Sequence, residues 1–117
     1  MTMFYAFVAM VPPFIPNITE IITTPYLVNI SWIVTNIVYD AETYTVHYGT
    51  DMALLPNSTV VMGNTNLLTF NELFTVSISG LTPFTTYYFI VSATNSLGTT
   101  NTSVMTFMTD ETGTLII

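Results

Sequence analysis

The chain of 117 residues contains no lysine and no arginine. Phosphate groups are bound chiefly through cationic side chains, so nucleic-acid binding is excluded as an expected role. Adsorption to an anionic lipid surface is disfavoured for the same reason. Against seven Asp and Glu residues stand only His47 and the amino terminus as possible cations, and the formal net charge is −7. A protease that requires Lys or Arg finds nowhere to cut. Cysteine is absent as well, which removes disulfides, zinc–thiolate sites and thiol nucleophiles. Charged residues make up 6% of the chain while half of it is hydrophobic. Such a composition favours a packed core over disorder. It also leaves a surface that associates unless sugar or a partner covers it. The length suits one domain with a core of its own.

Apolar residues at every second position indicate strands, because successive side chains point to opposite faces of a sheet. In residues 81–98, LTPFTTYYFIVSATNSLG, a turn at Pro83 precedes a strand with Tyr87, Phe89, Val91 and Ala93 on one face. Residues 27–34 place Val28, Ile30 and Trp32 inward, with Asn29 and Ser31 outward. Residues 43–48 place Tyr44, Val46 and Tyr48 inward, with Thr45 and His47 outward. Further strands are expected at 18–23, 58–62, 73–79 and 102–109, with residues 94–101 forming a loop. Seven strands with turn signals between them predict an all-β, seven-stranded antiparallel immunoglobulin-like sandwich.

Leu81, Pro83, Thr85, Tyr87, Ala93, Asn95 and Gly98, with a single Trp on the second strand, give residues 12–109 a pattern that resembles the fibronectin type III family. The resemblance implies that Tyr87 is a corner tyrosine hydrogen-bonded to nearby backbone. Phe84 stands where the family usually has glycine, so an altered turn and an exposed ring are expected. The family's Arg-Gly-Asp integrin motif is missing from the 94–101 loop, and the Trp-Ser repeat of cytokine receptors is missing too.

Because the resemblance already accounts for all seven strands, residues 1–11 and the 110–117 tail are surplus to the fold. The first reads MTMFYAFVAMV and is almost wholly apolar. It lacks the basic region of a signal peptide and the length of a membrane span. Met3, Phe4, Tyr5, Phe7 and Val8, with Leu115, Ile116 and Ile117, are therefore expected to pack on a neighbour, for instance by adding a strand to its sheet edge. Packing of residues 1–11 on their own domain is the simpler alternative.

Four N-glycosylation triplets occur, at Asn17, Asn29, Asn57 and Asn101, none with proline in the middle. Thr23, Thr24, Thr99 and Thr100 are weaker candidates for O-linked sugar. Catalysis has little to work with. His47 lacks a nucleophile motif such as G-x-S-x-G in the chain and reads as a solvent-facing strand residue. Asp40 with Glu42, or Asp110 with Glu111, could touch calcium, but no EF-hand spacing is present. No cofactor is expected. Tyr88 and Ile90 point outward on the strand that follows Phe84, and the three are candidates for a contact patch. The sequence thus reads as an extracellular glycoprotein module, structural and self-assembling or partner-binding, and not as an enzyme.

Overall fold

The computed structural model describes residues 11–34, 41–62 and 72–113. Its elements are strands: β1 (Asn17–Thr23), β2 (Val28–Val34), β3 (Thr43–Gly49), β4 (Asn57–Met62), β5 (Glu72–Ile78), β6 (Thr86–Asn95), β7 (Gly98–Asn101) and β8 (Met105–Met108). They form two antiparallel sheets. One has the order β1-β2-β5; the other has the order β4-β3-β6, with β7 and β8 both paired to the far side of β6.

The core lies between the sheets and follows the two-residue period. Val28, Ile30 and Trp32 of β2 and Phe74, Val76 and Ile78 of β5 face Tyr44 and Val46 of β3 and Tyr87, Phe89, Val91 and Ala93 of β6. Two aromatic clusters fill it. Trp32 lies 5.2 Å from Tyr44 and 6.1 Å from Phe74 between ring centroids. Phe107 of β8 stacks on Tyr87 at 5.3 Å and meets Phe89 at 5.9 Å. Tyr48, expected inside, sits half-buried at the margin of this core because it lies near the end of β3.

The strand count differs from expectation, with eight segments among the described residues where seven were read from the sequence. The last strand is broken, and Thr102 is the reason. Its backbone N–H donates to the Val91 carbonyl at 3.0 Å, and its hydroxyl accepts from the Val91 N–H at 3.0 Å. One threonine thereby serves both backbone groups of Val91. The ladder is interrupted while both backbone groups of Val91 stay paired.

The expected loop over residues 94–101 is instead a tight hairpin. β6 runs on to Asn95, which pairs with Gly98 across a two-residue tip. Asn95 closes the turn by accepting from the Leu97 N–H at 2.8 Å. Its amide also donates to the Val11 carbonyl at 2.8 Å, and the Thr100 hydroxyl donates to the Pro13 carbonyl at 2.7 Å. Gly98 has a φ of 151°, and a Cβ there would stand 3.4 Å from Pro12. Residues 11–14 therefore run along the hairpin before the chain crosses to the other sheet as β1.

Candidate functional site

Of the surfaces the fold creates, the outer face of the larger sheet is distinctive because it bears no carboxylate among the described residues. The ladder registers place Val60, Thr45, Ser92 and Asn101 in one row across it, and Ser58, His47 and Ile90 in the next. Tyr88 lies between Gly49 and Thr106. Tyr88 and Ile90 thus share this face, two residues apart on β6, and both are partly exposed. Sequence reasoning missed Val60, a neighbour on this face that is 61% exposed. Its signal was the uncharged run Asn57–Met62 on a strand that turns out to lie at the sheet edge.

Phe84 lies off that face, in the turn before β6. Its N–H donates to the Asp110 carbonyl at 3.0 Å, its ring is largely exposed, and its φ is +51°. The turn keeps the left-handed backbone that glycine would adopt freely, and phenylalanine bears the strain. Relieving that strain is worth about 1–2 kcal/mol, whereas glycine's extra freedom in the unfolded chain costs about 0.5–1 kcal/mol. Phe84→Gly should therefore stabilise the domain by roughly 0.5–1 kcal/mol. An unchanged or lower urea midpoint would count against the strain.

The corner beside it is as the resemblance implied. The Tyr87 hydroxyl accepts from the Thr82 N–H at 2.9 Å. Thr109, buried at the end of β8, accepts from the Thr85 N–H at 2.9 Å and donates to the Thr82 carbonyl at 2.6 Å. Asp110 accepts from the Thr23 hydroxyl at 2.7 Å, so this carboxylate helps fasten β1 to the corner.

The four glycosylation triplets fall in different settings. Asn17 and Asn57 are exposed first residues of β1 and β4, each directly after a proline. Asn29 sits in the middle strand of the smaller sheet, its amide oxygen accepting from the Ser77 hydroxyl. Asn101 ends β7, and its amide oxygen accepts from the Ser92 hydroxyl at 2.6 Å.

His47 pairs in register with Ser58 and Ile90, and no carboxylate stands opposite it on either neighbouring strand. Among the described residues no three acidic or histidine side chains converge to hold a metal. Asp40 lies outside the described residues, as do Met3, Phe4, Tyr5, Phe7, Val8, Leu115, Ile116 and Ile117. Among the described residues the concavities are open to solvent. One of about 370 Å³ is lined by Phe14, Ile15, Pro16, Asn17, Ile33 and Val34.

No protein-family model and no curated protein matches the sequence. Solved structures do. The chicken CNTN1 FN1–FN3 domains superpose with a TM-score of 0.61 at 20% identity, over 86% of this chain, which spans 31% of that chain. The third fibronectin III domain of the human KIAA0343 protein gives a TM-score of 0.61 at 14% identity, covering 97% of this chain and 94% of the other. The sensor domain of the anti-sigma factor RsgI4 from Pseudobacteroides cellulosolvens gives 0.59 at 20% identity, covering 83% and 94%. Identities this low speak to fold. With the corner tyrosine, the two-sheet order and these superpositions together, the chain has a fibronectin type III-like fold.

Proposed function

We propose that the chain is a non-enzymatic extracellular structural module, glycosylated, that assembles with copies of itself or with sister modules through its apolar termini. One observation supports this reading most. Among the described residues, those from Val28 to Phe107 already fill the space between the two sheets with buried hydrophobic side chains. Met3, Phe4, Tyr5, Phe7, Val8, Leu115, Ile116 and Ile117 lie outside the described residues, and their apolar side chains are proposed as the joints. Docked as a strand on a neighbour's sheet edge, the first segment would gain backbone hydrogen bonds, with alternate side chains setting register. A head-to-tail joint of this kind does not close on itself and builds filaments or matrix. Neither nucleic acid nor membrane insertion belongs to this role.

Sedimentation velocity on the full chain and on a form lacking residues 1–10 tests it. The full chain should form concentration-dependent polymers and the shortened form should stay monomeric. A full chain that stays monomeric at every concentration overturns the reading.

A second reading, a ligand-binding module of an adhesion protein or receptor ectodomain, is favoured by the carboxylate-free outer face around Tyr88 and Ile90. The likeness to a sensor domain points the same way. In that case the form lacking residues 1–10 retains its partner.

A further inference from the structure

We propose that an N-linked glycan on Asn57 guards the β4 edge against pairing with the β4 of a second copy. The inference rests on the reading of the chain as a secreted glycoprotein, and it assigns one of the four triplets a task. An open strand edge offers unpaired N–H and C=O groups to any passing strand, and proteins blunt such edges with charge, proline, bulges or covering segments. The other edges here have such devices. β1 follows Pro16, carries Glu20 and is broken by a register shift between Ile18 and Glu20. β5 opens with Glu72. β7 is crossed by residues 11–14 through the Thr100 and Asn95 hydrogen bonds. β8 is four residues long.

β4 shares with β1 only a preceding proline, Pro56, and among the described residues has no charge, bulge or covering segment along its own length. Its six residues carry no charge and no proline. Its register with β3 is unbroken from Asn57 to Met62, and Val60 is 61% exposed. A chain without lysine cannot supply the usual edge guard. What β4 does have is an acceptor triplet on its first residue. Asn57 is exposed, and its side chain is engaged by no hydrogen bond among the described residues. By contrast the amide oxygens of Asn29 and Asn101 are held by serine hydroxyls.

The chemistry is oligosaccharide transfer from a polyprenyl pyrophosphate donor during secretion. A bond forms between Asn57 Nδ2 and the anomeric carbon of the first sugar. The bond from that carbon to the pyrophosphate oxygen breaks, and the polyprenyl pyrophosphate leaves. The amide nitrogen gives up one proton to a base of the transferring enzyme. Seated at the start of β4, the bulky solvated sugar excludes a second chain from the edge.

The test uses the full chain secreted from a eukaryotic host, with site occupancy read by peptide mass spectrometry. Asn57 should be occupied. Asn57→Gln and Thr59→Ala, each of which removes the triplet, should shift the secreted protein severalfold toward larger species. Amide hydrogen exchange in residues 57–62 should slow in those species. Adding Val60→Lys to Asn57→Gln should restore the wild-type size, since a lysine replaces the lost guard. Asn101→Gln should leave both readouts unchanged. An unoccupied Asn57 with another triplet occupied overturns the inference and leaves the glycoprotein reading standing; four empty triplets overturn both. Occupied Asn57 with no change in size or exchange on Asn57→Gln also overturns it.

Discussion

Replacing Trp32 with alanine should remove about 3–5 kcal/mol of folding stability, the largest loss expected of any single side chain here. Trp32 is fully buried in the centre of β2 and is the largest side chain in the core. Its ring lies nearly parallel to Phe74 and tilted against Tyr44, which in turn meets Phe74 at 4.8 Å. Truncation removes the contacts of both partners at once. The strands on either side are held in their ladders and close only part of the gap, so a cavity term adds to the lost transfer energy. Domains of this size have only about 5–15 kcal/mol of total stability, so the variant should be largely unfolded at modest urea. Trp32→Phe separates packing from polarity. The indole Nε1 is buried and has no hydrogen-bond partner among the described residues, so the phenyl ring keeps much of the contact and gives up no hydrogen bond identified there. Its cost should stay near 1–1.5 kcal/mol or less. Circular dichroism in urea, with unchanged m-value, reads both. Equal losses for the two variants would contradict the assigned aromatic packing.

The second large effect is expected at Thr109. This residue ties the 82–85 turn to the end of β8: its hydroxyl accepts from the Thr85 N–H and donates to the Thr82 carbonyl, and its own N–H donates to the Thr85 carbonyl at 3.0 Å. Thr109→Val keeps the shape and removes the hydroxyl. The part-buried Thr85 N–H then loses its partner, at a cost of about 1–3 kcal/mol. Thr109→Ser keeps the hydroxyl and should recover most of that loss. If valine and serine cost the same, the corner is held by packing and not by this hydrogen bond.

Much of the fold was legible because one face of each sheet is buried. The period-two pattern then has one solution, and a slip of one residue in β2 would send Trp32 to solvent and Asn29 into the core. The corner was legible for a local reason, since Tyr87 and its acceptor role at Thr82 lie five residues apart. The break between β7 and β8 was not legible. Thr102 looks like an ordinary strand threonine, and its substitution for a ladder residue depends on Val91, eleven residues away. The hairpin was misread for the opposite reason. Asn95, Ser96 and Gly98 are turn formers that suggested a wide loop, whereas Asn95 closes the turn within two residues. Sheet-edge status, on which the Asn57 argument depends, is a property of strand order and is invisible in the run Asn57–Met62 itself.

The candidate surfaces were legible to different degrees. Tyr88 and Ile90 could be placed outward from alternation alone. Their shared face, free of carboxylate among the described residues and extended by His47 and Val60, required the registers of β3, β4 and β6. Phe84 was expected to disturb its turn. The turn instead retains the left-handed backbone, with the cost carried locally at φ +51°.

Terminal assembly is tested most directly by asking which chain the first segment touches. Equal amounts of isotopically heavy and light full-length chain are mixed, each carrying a photo-crosslinking residue at Phe4 or Phe7, and the products are mapped by mass spectrometry. Assembly through the apolar ends predicts heavy–light cross-links from these positions to a strand edge of the partner chain. Cross-links confined to heavy–heavy and light–light pairs within single chains would contradict it, because the segment would then be packed on its own domain.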